Sequence, residues 1–439
     1  MTKKKFMFYI HFIFAFFVCI HTIAQTPASA QNKSILILGA TIHAGNGNKI
    51  ENGAIGFERG KITLIGNATQ RNIIKEQWNE IINAEGKHLY PGLIAPYVVL
   101  GLTEIDAVNA SIDYNEVGEY NPNVRSLIAY NAESRIIPTV RYNGVLLTQS
   151  TPKGALISGK SSVFKLDGWN WEDACVKADD GVYLNWPPNY SYAPNEEGKW
   201  LFDKNKNHDK QVNELDLFFE KCIAYNRSKT KTENDVRMEG LKGIINGSEN
   251  LYIVANAVKD INEAIAFAKS KNIPKIVLVG GEEAGFCIDI LKQYNIPVIL
   301  NRVHSLPPKT DDDIYFYYKL PALLAANNIL FCLSYEGDME AMGSRNLAFI
   351  AGTAASYGLT KEQALQAVSL NTAKILGIDN LYGSLEEGKS ATLFISEGDA
   401  LEMKTNKLSK AFINGAEIEL KTHQTELYDK YLKKYGLKP

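Results

Sequence analysis

Leu251-Tyr252-Ile253-Val254-Ala255, followed almost at once by Val258-Lys259-Asp260-Ile261-Asn262-Glu263-Ala264-Ile265-Ala266-Phe267-Ala268-Lys269-Ser270, decides the fold. The first run is short and continuously apolar, as a strand buried on both faces is. The second puts Ile261, Ala264, Ile265 and Ala268 at helical spacing. The couple recurs downstream. Lys275–Val279, Pro297–Leu300 and Ile329–Leu333 read as strands, and Glu282–Tyr294, Asp313–Ala326 and Ser344–Ser356 as helices. Thr360 with Gln363 three residues on forms a capping box for the next helix. Repeated strand–helix units of this length predict a parallel α/β sheet, and their number favours a closed (β/α)8 barrel over an open one.

Outward from this core the pattern changes. Residues 103–250 are less regular: Asn123–Glu133 reads as helix, Thr139–Thr148 and Ala155–Leu166 as largely strand, and Pro187–Lys210 as a polar surface excursion. Both chain ends read as β. Ser34–Leu38, Ala54–Phe57 and Lys61–Ile65 are strands with a turn at Arg59-Gly60, and Ala391–Ile395, Leu408–Ile413 and Glu417–Leu420 are strands with a turn at Asn414-Gly415. Two β segments bracketing a long α/β middle predict one small β-sandwich assembled from residues 31–90 and 381–421, a barrel over 91–380 and a helical tail over 422–439. In the tail, Leu427, Tyr431 and Leu432 share one face.

The 439 residues are 45% hydrophobic, enough for one large core and a smaller one. Net charge is -2 with both signs interspersed, which argues against nucleic acid or a basic membrane patch as partner. Lys3-Lys4-Lys5, an apolar run from Phe6 to Ile23, and the small residues Ala28-Ser29-Ala30 read as a secretory signal over 1–30, with Ala24/Gln25 as a competing cleavage point. The expected location is the periplasm, with no membrane attachment after cleavage. Cys175, Cys222, Cys287 and Cys332 are scattered and read as buried free thiols.

Four segments carry a family resemblance. Ile82-Asn83-Ala84-Glu85-Gly86-Lys87 followed by Tyr90-Pro91-Gly92-Leu93-Ile94 resembles the approach to a first barrel strand. Met238–Ala255 with Val258–Ile261 resembles the fifth strand. Thr372-Ala373-Lys374-Ile375-Leu376-Gly377-Ile378 resembles the helix that leaves the barrel. Gly383-Ser384-Leu385-Glu386-Glu387-Gly388-Lys389 resembles the return to the sandwich. Together they resemble the amidohydrolase superfamily, in its imidazolonepropionase-like branch. The resemblance implies an α/β fold, a TIM-type barrel plus a composite β-sandwich, and hydrolysis of amide or related C–N bonds. One or two divalent metals, zinc as the norm, would activate water at the C-terminal strand ends.

The same resemblance exposes a departure. The family's first strand ends in His-x-His, where this chain has Tyr97 and Val99. The later ligand positions fall near Val254 or Asn256, near Val279 or Gly280, and between Ser334 and Gly337 with Asp338 beside them. Beyond the signal only His43, His88, His208, His304 and His423 remain, and of these only His304 follows a barrel strand. The expectation is therefore no metal and no other cofactor.

Three functions stay open. The first is a degenerate relative that binds a small amide-like ligand, or pairs with a competent amidohydrolase. It would bind through Tyr97, Asn256, Glu336 and the stacking surfaces of Trp169 and Trp171. The second is a C–N hydrolase with an unconventional site of His304, Arg302 and Asp338. The third is a periplasmic scaffold. Gly154-Ala155-Leu156-Ile157-Ser158-Gly159-Lys160-Ser161 matches a phosphate-loop pattern, but Ser162-Val163-Phe164-Lys165-Leu166 next to it reads as strand and not as the required helix.

Overall fold

A computed structural model describes residues 26–194, 200–228, 234–307 and 312–438. The apolar part of the signal reading and part of the polar excursion lie outside them.

The chain opens with β1 (Ile35–His43), β2 (Lys49–Glu58) and β3 (Lys61–Asn67) in an antiparallel meander. Arg59 and Gly60 both take positive φ, 50° and 79°, the backbone that lets a two-residue hairpin follow strand twist. β4 (Glu80–Asn83) and β5 (His88–Pro91) run parallel to β1 on its other side.

The barrel begins at β6 (Leu93–Val98). Helix α1 (Ile136–Arg141) precedes β7 (Val145–Ser150), and β8 (Ile157–Lys165) and β9 (Cys175–Asn185) follow directly. β10 (Tyr190–Pro194) and β11 (Trp200–Lys204) make a separate hairpin before α2 (His208–Arg227). Alternation then sets in: β12 (Asn250–Ala255), α3 (Val258–Ser270), β13 (Ile276–Gly280), α4 (Ile288–Gln293), β14 (Val298–Leu300), α5 (Phe316–Ala326) and β15 (Phe331–Leu333). Three helices cover its end, α6 (Leu347–Ser356), α7 (Lys361–Ala367) and α8 (Leu370–Leu376). Finally β16 (Leu393–Ser396), β17 (Leu408–Ile413) and β18 (Ala416–Ile418) rejoin the first sheet by pairing β16 with β5, and α9 (His423–Tyr435) closes the chain.

Both sheets have eight strands. The first runs β18-β17-β16-β5-β1-β2-β3 with β4 beside β1, and curls until Lys61 bridges Ser390. Its core joins the two chain ends, with Phe57 and Phe412 edge-to-face at 5.1 Å. The second runs β15-β14-β13-β12-β9-β8-β7-β6. It closes nearly into a barrel, and the Ser334 hydroxyl donates to the carbonyl of Pro96 at 2.9 Å across the seam. α3 buries Ile261 and Ile265 completely against this sheet, each burial worth about 1.5–3 kcal/mol.

The sheet is not wholly parallel. β8 is antiparallel to both β7 and β9. The cause is the short link from Thr151 to Leu156, in which Gly154 and Ala155 take φ of 76° and 57°. A parallel crossover needs a dozen residues or more, so the chain can only turn straight back. The Ile136–Arg141 helix likewise occupies ground read as strand. Gly144, at φ 89°, turns the chain before the strand begins at Val145. Asn123–Glu133 keeps only one helical turn, Ser126–Ala129, because Arg125 bridges Lys160 of β8 instead. Glu282–Tyr294 is broken into a 3-10 turn at Ala284–Phe286 and α4. The tail helix forms as expected, but it buries no residue; Leu427 and Tyr431 stay exposed.

Candidate site at the barrel mouth

The interior of the barrel is organised around one carboxylate. Asp180 of β9 is completely buried. Its Oδ1 accepts from the Ser161 hydroxyl at 2.5 Å, and its Oδ2 accepts from Tyr252 at 2.6 Å and from the Gln149 amide at 2.9 Å. Burial still pushes its carboxyl up, against the pull of these donors. Gln149 continues the network outward, accepting from the Tyr183 hydroxyl and the Tyr97 backbone N–H, both at 3.0 Å.

Three tyrosine rings stack along this network. Tyr252 lies 4.5 Å from Tyr183, and Tyr183 lies 5.2 Å from Tyr97, with interplanar angles of 10° and 9°. β6 makes this possible by bulging: Ala95 pairs with Thr148 and Val98 with Ser150, so one extra residue is looped out. Tyr97 sits in that bulge at φ 57°, an outlier for a bulky side chain. Positions 97 and 99 therefore do not share a strand face. Tyr97 joins the stack, and buried Val99 falls beyond the strand's end.

Lys153, just past β7, crosses the outer face of the stack. Its ammonium lies 3.1 Å from the Tyr97 ring centre, 3.4 Å from the Tyr97 carbonyl and 3.5 Å from Glu340 Oε2. Burial works against its charge, yet Tyr97, Glu340 and Glu336 carry its pKa above the ordinary lysine value. Glu340 follows β15 and is buried. Burial lifts its carboxyl up to about 7, with Lys153 pulling down and Glu336 pushing up. Its Oε1 has no partner, and neither does Asn256 Oδ1. Beyond Glu336 a narrow cleft opens between the ends of β13 and β14, lined by Glu282, Asn301, Arg302 and Tyr317. Burial first, then Glu336, raises the Glu282 carboxyl, while Asn301 and Tyr317 reach it as hydrogen-bond partners.

The predicted residues separate. Tyr97, Glu336 and Arg302 stand around the mouth. Asn256 follows β12 there, and its backbone carbonyl accepts from Glu283 N–H. His304 is exposed and turns to the helical layer, where its Nε2 meets the Thr353 hydroxyl of α6 at 2.6 Å. Asp338 is exposed on the loop after β15, and no described contact joins it to His304. Trp169 and Trp171 lie at the opposite end of the barrel. They sit between the end of β8 and the start of β9, and Lys165 of β8 pairs with Leu147 near the start of β7. Trp169 is exposed and Trp171 packs on the core. In the phosphate-loop match, Lys160 pairs with Glu249 at 2.8 Å and Ser161 holds Asp180. Lys153, Glu340, Glu282 and Asp180 escaped the sequence reading. Their position just after barrel strands was a usable signal for the first three.

The residues at the mouth do not fit a divalent metal. Tyr97 and Val99, where the resemblance would put a His-x-His pair, offer no imidazole, and the Lys153 ammonium lies over the tyrosine ring. Among the described residues no three His, Cys, Asp or Glu come together as a ligand set.

Comparison with known proteins agrees with this architecture. The amidohydrolase family's sequence model matches residues 318–418. An amidohydrolase from Thermotoga maritima MSB8 superposes with a TM-score of 0.74 at 23% identity, over 88% of this chain and 99% of that one. Molinate hydrolase superposes at 0.51 and 12% identity over 89% and 96%, and a Xaa-Pro dipeptidase at 0.54 and 12% over 88% and 100%. No curated protein sequence matches the chain. The structural likenesses show the shared barrel fold, and the family's sequence model matches part of the chain, residues 318–418.

Proposed function

We propose that this chain is a non-metal member of the amidohydrolase superfamily that binds a small amide-bearing molecule at the barrel mouth, after export to the periplasm, alone or beside a competent relative. One observation carries the reading: the Tyr252-Tyr183-Tyr97 stack fills the bore and Lys153 covers it with a positive charge. A cation there repels a divalent ion and attracts a carbonyl or carboxylate oxygen. The unpartnered oxygens of Glu340 and Asn256 add acceptors for an N–H. Elemental analysis of the purified, untagged protein, run with calorimetry on a panel of N-acyl amino acids and cyclic amides, tests it. Binding without bound metal is the expected result. Stoichiometric zinc at the mouth would overturn it.

A second reading keeps catalysis. Glu340 titrates near neutrality beside Lys153, so it could exchange a proton with a bound amide without a metal. Turnover of the same panel that is lost in Glu340→Gln would favour this reading. Turnover that survives the substitution would remove Glu340 from it.

A further inference from the structure

Arg302 is the feature at the mouth that neither packing nor the tyrosine stack explains. Its Nη1 has only a loose partner, the Tyr335 hydroxyl at 3.5 Å, and its guanidinium carbon stands 5.3 Å from the Tyr335 ring centre. Ser305 donates to the Arg302 carbonyl at 3.0 Å and fixes the start of the loop. The other edge of the guanidinium is different. Nε is buried without a hydrogen-bond partner. Nη2 faces Gly337, where a Cβ would come within 3.0 Å of it. The glycine, at φ 117°, keeps that edge open. No ion pair engages Arg302 among the described residues. After partial burial, its charge is what holds the His304 imidazole below its usual range.

We infer that the cleft between the ends of β13 and β14 takes the carboxylate of a small organic acid, gripped side-on by Nε and Nη2 of Arg302. The inference rests on the mouth being a ligand site and names the ligand's acidic end. The Nε–Nη2 edge presents two parallel N–H donors at the spacing of two carboxylate oxygens, a match that a lysine cannot make. Stacking on Tyr335 holds the plane of the guanidinium before the ligand arrives. Glu282 lines the same cleft, where burial first and then Glu336 raise its carboxyl.

Titration calorimetry with N-acetylglycine, its neutral amide N-acetylglycinamide and inorganic phosphate tests this. The wild type is compared with Arg302→Gln, Arg302→Lys and Lys153→Gln, each checked for an unchanged melting temperature. The acid is expected to bind the wild type and to weaken by about tenfold or more in Arg302→Gln. Arg302→Lys should recover only part of the loss. The neutral amide and phosphate should bind more weakly than the acid to the wild type. Acid binding that is unchanged in Arg302→Gln but weakened in Lys153→Gln overturns the carboxylate assignment and keeps the mouth reading. No binding of any probe to the wild type at millimolar concentration overturns both.

Discussion

The ammonium of Lys153 lies 3.1 Å from the centre of the Tyr97 ring. That contact ties the loop after β7 to the bulge in β6. A desolvated cation over an aromatic face is worth about 2 kcal/mol or more. Tyr97 therefore has a structural task. It ends a column of three rings, whose innermost hydroxyl binds Asp180.

Tyr97→Ala should consequently cost about 3–5 kcal/mol, the usual range for truncating a buried aromatic. The ring loses its stack on Tyr183, and Lys153 loses the face that shields it. Urea unfolding followed by far-UV circular dichroism measures the difference. A cost under 1 kcal/mol would show that the column is not part of the core. Tyr97→His with Val99→His is expected to gain no zinc in the same preparation. The bulge separates the two positions, and Lys153 remains beside them.

Glu340 makes stability depend on pH. Its folded pKa is lifted up to about 7 from the ordinary 4.5, so the folded state holds the proton more tightly than the unfolded one. The stabilisation is complete below about pH 4.5 and is lost as pH rises toward 7, by about 3 kcal/mol at most. Glu340→Gln removes this dependence. Denaturation of both proteins at about pH 4.5 and 7.5 should show the variant gaining on the wild type as pH rises. A difference that stays constant across the range would rule out the titration.

How far the sequence carried these conclusions varies by element. Val258–Ser270 forms as read, and Thr360 with Gln363 makes a full capping box. Asn414 and Gly415 take the positive φ of a hairpin turn. All three are local patterns, where neighbours in sequence are neighbours in space. The reversal of β8 was not legible, because an apolar strand carries no mark of its direction. Nor was the fate of Tyr97. Its environment comes from Tyr183, Lys153 and Gln149 on three other chain segments, and its backbone from a bulge that only β7 defines. His304 was singled out for following a strand, yet that loop turns its ring toward Thr353. The site was therefore legible by location and not by constellation.

The thiols should prove inert. Cys222, Cys287 and Cys332 are buried, and burial pushes the first two up to about 12 and 11 and the third higher still. Thiolate is the reactive form. Cys175 is half-buried, and burial also raises it. A thiol-reactive dye at about pH 8 is expected to label Cys175 slowly and the other three only after unfolding. Rapid native labelling of Cys332 would mean that the barrel opens.

The segment before β1 bears on where the proposed signal cleavage would fall. The backbone N–H of Ala28 donates to Asp167 Oδ2 at 3.1 Å, and Asp167 Oδ1 pairs with Arg141 at 2.8 Å. Burial raises the Asp167 carboxyl, and Arg141 and Ala28 are the partners that oppose this. Cleavage after Ala30 would remove Ala28 and leave a part-buried carboxylate short of a donor, at a cost of about 1–3 kcal/mol. Cleavage after Ala24 would keep it. If the chain is exported as proposed, intact-mass analysis of the mature protein is expected to place its first residue before Ala28. A version starting at Gln31 should melt several degrees lower than one starting at Gln25. Equal melting temperatures, or a native N-terminus at Gln31, would show that the Ala28–Asp167 bond contributes nothing to the folded state.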